Sequence, residues 1–259
     1  MKIEDSKSLS RKRYTQYGQG YVSSETHARG EDLEGLLAMA QPEPDWIVLD
    51  VATGAGHTAL KFAPLVAKVI AADLTPRMLA VAQDFIAAQG VENVEFRQAD
   101  AENLPFEPET FDLVTCRIAA HHFPEPKQFV REGARVLKPG GLLLVQDQVV
   151  PEDVDTEQYI NAFEKLRDPS HNRALSENEW LEIFQENGLF VEDTRLVVKR
   201  HAFLNWAEMQ GCTPAVIEQL SEMLAEAPFL AAAWLQARDV GTPAASFANH
   251  HLLIAGRKP

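Results

Sequence analysis

The chain is 259 residues long, 46% apolar and 24% charged, with a formal net charge of −14. This length accommodates one large α/β domain with a substantial core, with or without a lid. The acidity argues against nucleic acid, whose phosphates need a concentrated basic surface; only Arg11-Lys12-Arg13 and Lys199-Arg200 cluster, and both read as solvated.

No run approaches the roughly 20 apolar residues of a membrane span. The charged MKIEDSKSLSRKRY lacks the apolar stretch of a secretory signal, and Cys116 and Cys212 lie far apart, so a cytoplasmic protein with reduced thiols is expected. Tyr14, Tyr17, Tyr21 and His27 fall in YTQYGQGYVSSETHARG, a stretch too polar for the core. Residues 1–30 therefore read as a flap over a ligand or as a surface-packed arm.

From there strand-like and helix-like stretches alternate, the pattern of a parallel sheet covered by helices. Ile47 to Val51 is a first strand, a short helix runs from near His57 to about Pro64, and Lys68 to Ala72 is a second strand ending on Asp73. Thr75 reads as the N-cap of the next helix, Pro76 takes its first position and Gly90 stops it; Met78, Leu79, Ala82, Phe85 and Ile86 form its inner face. Val94 to Gln98 and Phe111 to Cys116 are further strands. Lys127 to Leu137 is helical, Pro139-Gly140-Gly141 breaks it, and Leu142 to Gln146 is a fifth strand.

After residue 150 the pattern loosens. Thr156 to Arg167 is helical, with Tyr159, Ile160, Phe163 and Leu166 on one stripe. Ser176 and Glu179 make a capping box for another helix, which Gly188 closes. A strand lies within Phe190 to Phe203, Leu204 to Arg238 is helical with breaks near Pro214 and Pro228, and Ser246 to Ala255 is a last strand. The expected organisation is a single domain over 1–259: the flap at 1–30, a ligand-binding half at 31–150, and a second half at 151–259 with a helical insertion at 204–243.

Between the first strand and helix, ATGAGHTA fits G-x-G-x-x-A through Gly54, Gly56 and Ala59. Small residues there let backbone amides approach a ligand, and the helix that follows presents unsatisfied N–H groups. The loop alone does not separate a dinucleotide from S-adenosylmethionine, because Asp73 follows about twenty residues on in either case, placed for ribose hydroxyls. Asp50 and Asp100 do separate them. Asp50 would repel a pyrophosphate and tolerate a cationic amino group, and Asp100 can accept from an adenine amino group. Acids at the C-terminal ends of neighbouring parallel strands converge on one crevice, although each alone could be a surface carboxylate.

In order, VLDVATGAG, AADLTPRML, QADAENLPF, FDLVTCRIAAHHF and LKPGGLLLVQD resemble the successive motifs of class I S-adenosylmethionine-dependent methyltransferases over roughly Trp46 to Asp147. Within that class the chain most resembles the group that includes the ubiquinone/menaquinone biosynthesis enzymes and many bacterial small-molecule enzymes. The resemblance implies an α/β fold with a Rossmann-like sheet, mostly parallel with the last strand antiparallel, and helices on both faces. It implies S-adenosyl-L-methionine as cofactor and S-adenosyl-L-homocysteine as product. By the same resemblance the backbone of Ala52, Gly54, Ala55 and Gly56 cradles the methionine part, with Asp50 near its amino group. Asp73 holds the ribose hydroxyls, Leu74 packs on adenine, Asp100 and the Ala101 amide read the adenine edge, and Arg117 lies under the cofactor facing substrate.

Methyl transfer from a sulfonium needs positioning, desolvation and, for a hydroxyl or acidic carbon, a base. The segment from Arg117 to Phe123 follows the fourth strand at the ligand rim, so His121 and His122 are candidate bases, with Arg117 beside them as a third candidate catalytic residue. Either histidine could instead only hydrogen-bond its loop. Arg167, Asp168, His171 and Arg173 form a substrate lid or a solvated turn. Trp206, Met209, Phe229 and Trp234 read as core or as contact in a possible homodimer.

No metal is expected: Asp147 has no evident partner, and His121 and His122 point apart and lack a further ligand at suitable spacing. No N-P-P-Y or D-P-P-Y type sequence follows the fourth strand, which disfavours nucleic-acid bases as acceptors. The expected activity is methyl transfer to oxygen, carbon or nitrogen of a small-molecule acceptor. A non-catalytic cofactor-binding scaffold or partner protein, and a nucleotide-dependent oxidoreductase, stay open beside it.

Overall fold

The computed structural model describes residues 3–17 and 31–259. Helices α1 (Ile3–Tyr17) and α2 (Glu31–Ala40) precede the sheet. The first half continues with β1 (Ile47–Val51), α3 (His57–Phe62), β2 (Lys68–Asp73), α4 (Pro76–Ala87), β3 (Val94–Gln98) and β4 (Phe111–Arg117). A 3-10 turn at Ala120–His122 leads to α5 (Pro126–Val136) and β5 (Leu137–Val150). The second half contains α6 (Val154–Arg167), the two-residue β6 (Leu175–Ser176), α7 (Glu177–Glu186), β7 (Phe190–Ala202), α8 (Phe203–Met209), α9 (Pro214–Ala225), α10 (Phe229–Leu235) and β8 (Ser246–Arg257).

The sheet runs β3-β2-β1-β4-β5-β8-β7, with β6 paired to β5 off that path. β1 to β5 pair in parallel, and β8 is antiparallel to both β5 and β7. This is the expected Rossmann-like α/β sheet. The chain reverses its direction of travel between β1 and β4, and a crevice forms at that switch point, outside the carboxyl ends of the strands.

Strand alternation sends neighbouring residues to opposite faces. Leu49, Val114, Leu143 and Phe129 pack on one face, and Val48, Leu113, Leu144, Leu36 and Phe62 pack on the other. A third cluster joins α6 to the insertion: Phe163 stacks on Trp206 with centroids 5.0 Å apart, and both pack with Phe247 and Leu220. The insertion thus packs on α6 and β8 through a shared core. Among the described residues no helix is long and apolar enough to cross a membrane.

Several expectations need correction. β5 is longer at both ends than Leu142 to Gln146. Leu137 already pairs with Phe111, and a register shift before Leu113↔Leu142 absorbs Pro139-Gly140. Beyond Gln146, Asp147 and Gln148 stay in the ladder opposite Leu252 and His251. Thr75 stands at the N-cap of α4 without capping through its side chain; Asp73 Oδ1 accepts the Thr75 N–H instead, at 2.8 Å. The capping box of Ser176 and Glu179 is formed. Phe229 is 85% exposed, which removes the core alternative for it and leaves the contact one. Lys199 is largely buried beside Asp32, so only Arg200 of that pair is solvated. Arg13 likewise leaves the basic surface to pair with Asp168 at 3.1 Å.

Candidate functional site

A cavity of about 1070 Å³ opens at the switch point. The β1–α3 turn supplies Ala52, Thr53, Gly54 and Ala55, with Asp50 behind them; β2 supplies Asp73 and Leu74; the loop after β3 supplies Asp100 and Ala101. Ala52 (φ 53°) and Gly54 (φ 56°) are both left-handed, and this tightens the turn. Thr53 N–H donates to Ala72 O at 2.9 Å and Gly54 N–H to Asp73 Oδ2 at 3.0 Å, tying the turn to β2.

Asp50 accepts from the hydroxyls of Thr115 at 2.7 Å and Thr53 at 2.6 Å. Burial pushes Asp50 up to about 6, against the pull of those hydroxyls. Burial also pushes Asp73 up to about 6, despite the amides of Thr75 and Gly54. Asp100 accepts from Glu102 N–H at 3.0 Å and from Lys7 Nζ at 2.6 Å, and Lys7 also pairs with Glu102. α1 thereby covers this wall, bringing Ser10 and Tyr14 to the cavity. Of the other flap residues singled out from the sequence, Tyr21 and His27 lie outside the described residues.

Two sequence-derived sites behave differently. Gly56 does not line the cavity. Its φ of 88° turns the chain, and a Cβ there would stand 2.9 Å from Ile86 Cδ1, so its smallness serves packing of the turn on α4. Arg117 does reach the cavity, but its guanidinium holds the buried Asp32 of α2 through Nε at 2.8 Å and Nη2 at 2.7 Å. Lys199 Nζ approaches the same Asp32 oxygen at 2.9 Å. Burial raises Asp32, and the two cations outweigh it and hold the acid below its ordinary range. Arg117 thereby ties α2 to β4.

A second cavity, about 660 Å³, adjoins the first, and Tyr14, Ile118 and His122 line both. Ile118 has φ 53°, a conformation costly for a β-branched residue, and it stands at this seam. The 3-10 turn brings the rings of His121 and His122 to a centroid distance of 4.1 Å rather than pointing them apart. His122 Nδ1–H donates to Ser170 O at 3.0 Å, leaving Nε2 to accept from Tyr14 O–H at 2.7 Å. Burial and the neighbouring His121 ring push His122 down. It is a neutral, fully engaged imidazole.

His121 is held by Asp147, the partner the sequence did not reveal: Nδ1 lies 2.6 Å from Oδ1 and the backbone N–H 2.7 Å from Oδ2. Burial pulls His121 down, but the Asp147 charge and hydrogen bond leave it above its ordinary value. Its ring lines the second cavity.

The segment around residues 167–173 is not a solvated turn, and Arg167, Asp168 and His171 line the second cavity. Asp168, Ser170 and His171 are buried, the Asn172 and Arg173 N–H groups donate to His121 O, and Arg173 turns outward to Glu157 and Glu179. Lys199, Asn249 and His251 complete the wall, with Trp206 and Met209 from α8 as its apolar part. Sequence reasoning missed these three polar residues. The signal available was polar side chains on the inward alternation of two late strands. Among the described residues no group of three or more His, Cys, Asp or Glu side chains is arranged to hold a metal ion.

The first cavity suits S-adenosylmethionine in kind. Its walls carry Asp50, Asp73, Asp100 and Glu102, and its cations Lys7 and Arg117 are already matched by carboxylates. Such a surface favours a cationic ligand with hydroxyls and repels a pyrophosphate.

Comparison with known proteins agrees. A family model described as a methyltransferase domain matches residues 49–145. YcgJ of Bacillus subtilis (strain 168), an uncharacterized methyltransferase, is 43% identical over 195 residues, 75% of this chain and 77% of that protein. The crystal structure of the YcgJ protein superposes with a TM-score of 0.85 at 37% identity, over 88% of this chain and 98% of that one. The ubiquinone/menaquinone biosynthesis C-methyltransferase UbiE of Marinomonas sp. (strain MWYL1) is 44% identical over 109 residues, 40% of this chain and 43% of that protein.

Proposed function

Because the chain belongs to the class I S-adenosylmethionine-dependent methyltransferases, we propose that it methylates a small-molecule acceptor seated in the second cavity. The observation that carries this reading is the seam: Tyr14, Ile118 and His122 line both cavities, so a ligand in each meets at one place.

On the cofactor side, the backbone of Ala52 to Ala55 takes the methionine part and Asp50 its ammonium. Asp73 takes the ribose hydroxyls, Leu74 packs on adenine, and Asp100 with the Ala101 amide reads its edge. Gly56 contributes by letting the turn pack, not by touching ligand. Arg117 fixes the floor through Asp32.

The bound sulfonium supplies an electrophilic methyl, whose transfer leaves the electron pair on sulfur and requires the acceptor to shed any proton on its attacking atom. His121 takes that proton. Asp147 holds Nδ1–H, which fixes the tautomer and leaves the Nε2 lone pair for the acceptor. His122 cannot compete, since both its nitrogens are engaged; it positions the seam. Tyr14, Trp206 and Met209 help exclude water from the junction. The two free cysteines suit a cytoplasmic setting.

The test is incubation of the protein with methyl-labelled cofactor and a fractionated small-metabolite extract. Label should enter a small molecule, and His121→Ala should abolish the transfer. Label that stays on the cofactor with every fraction, or enters only macromolecules, overturns the reading.

A further inference from the structure

We propose that the second cavity selects a methyl acceptor that carries a carboxylate, gripped by the Nε2–H of His251 and the ammonium of Lys199. The inference rests on the reading that this cavity seats the acceptor.

The strongest observation is an unanswered donor. His251 lies on β8 with 3% of its surface exposed, and it lines the second cavity. Its Nδ1 receives the Gln146 side-chain amide at 3.1 Å. A neutral imidazole that accepts at Nδ1 carries its proton on Nε2, and this Nε2 is buried without a hydrogen-bond partner. Burial, with Lys199 and His201 nearby, keeps the ring neutral. Native interiors seldom leave a donor unanswered.

Lys199 supplies the second donor. It lines the same cavity from β7, and its Nζ contacts Asp32 Oδ2 as an ion pair at 2.9 Å. An ammonium has three N–H donors, so that contact leaves others for a ligand. A carboxylate has two oxygens to offer two such donors, and charge-assisted bonds of this kind are the strong ones.

Several of the other polar groups in the wall are held by protein partners. His171 donates Nε2–H to Asn161 Oδ1 at 2.8 Å and accepts from Gln148 at 3.2 Å. Arg167 donates Nε–H to Trp206 O at 2.9 Å and lies over the Trp206 ring. Asp168 is held by Ser170 and Arg13, and Glu164 accepts from Asn249 at 3.1 Å. Ile118, Trp206 and Met209 leave an apolar stretch for an aromatic or aliphatic frame. A neutral amide of the same shape would bring N–H groups toward two donors.

The probes are benzoate and its neutral isostere benzamide, titrated calorimetrically into full-length protein saturated with S-adenosylhomocysteine. Benzoate should bind at least tenfold tighter than benzamide. Lys199→Gln and His251→Phe should each weaken benzoate at least tenfold with S-adenosylhomocysteine still bound. Nitrogen NMR of the wild-type protein should show the His251 Nε2 signal move with benzoate alone, and together with Lys199→Gln this carries the test if His251→Phe fails to fold. Equal binding of the two probes, benzoate affinity indifferent to both variants, or no benzoate binding by protein that holds S-adenosylhomocysteine would each overturn the proposal. Failure to bind S-adenosylhomocysteine at all would instead overturn the underlying reading.

Discussion

One carboxylate holds both the ring and the backbone of a residue on a neighbouring loop: Asp147 Oδ1 stands 2.6 Å from His121 Nδ1, and Oδ2 accepts the His121 N–H at 2.7 Å. The two come from the end of β5 and from the loop after β4. Asp147 thereby sets the tautomer, orientation and proton affinity of His121, whose ring lines the second cavity beside the seam residue His122.

Asp147→Asn removes the charge that opposes burial, so the His121 pKa, followed by NMR titration, should fall below its wild-type value. A raised folded pKa means that the pair adds stability fully present below the ordinary histidine value of 6.5 and lost as pH rises through the raised one. The variant should lack that dependence. Turnover should drop by about 10²- to 10⁴-fold, the range of general-base catalysis, with S-adenosylhomocysteine affinity unchanged. A His121 pKa that does not move contradicts the assignment.

Cofactor affinity should depend on pH through Asp50 and Asp73. Burial pushes both up to about 6, and a ligand ammonium and ribose diol favour their ionised forms. Affinity should therefore be full well above pH 6 and weaken as pH falls through it, by about tenfold per pH unit for each group that must ionise. Asp73→Ala should cost about 1.5–3 kcal/mol of binding, the loss of charge-assisted hydrogen bonds. Calorimetry between pH 5 and 8 reads both effects, and a flat profile contradicts them.

Much of the first half was legible, and the reason is local. β1, β2 and β4 are apolar runs followed by turn residues, and Asp50, Asp73 and Asp100 stand at or beside strand ends, so alternation alone brings them to one rim. The His121–Asp147 pair was not legible, because it joins residues 26 apart through the tips of two strands, a relation that no local spacing expresses. Lys199-Arg200 read as surface, yet on a strand neighbours face opposite ways, and Lys199 is the inward member. Gly56 fits a ligand-binding pattern and a packing pattern equally well, and only the proximity of Ile86 separates them.

That distinction makes Gly56→Ala a stability variant. It combines a left-handed φ of 88° with a Cβ 2.9 Å from Ile86 Cδ1 and 3.1 Å from Ala82 Cβ. The expected loss is about 1–3 kcal/mol, as for overpacking in a close-packed core, read by urea unfolding. Full stability with lost cofactor binding would return Gly56 to the ligand.

Arg117→Met tests whether Arg117 is structural. Removing one partner of a buried ion pair costs about 3–5 kcal/mol when the other charge is left alone. Lys199 still contacts Asp32 in this variant, so the unfolding free energy should fall by an amount toward the lower end of that range. A variant that unfolds like wild type but no longer turns over would restore Arg117 to the chemistry.

The most direct test of the two-cavity account is a crystal structure of the complex with S-adenosylhomocysteine. The account predicts adenosine between Asp73 and Asp100, and sulfur at Tyr14, Ile118 and His122 with its open side toward His121. A ligand that leaves this cavity empty, or binds with sulfur turned away from the seam, would contradict it.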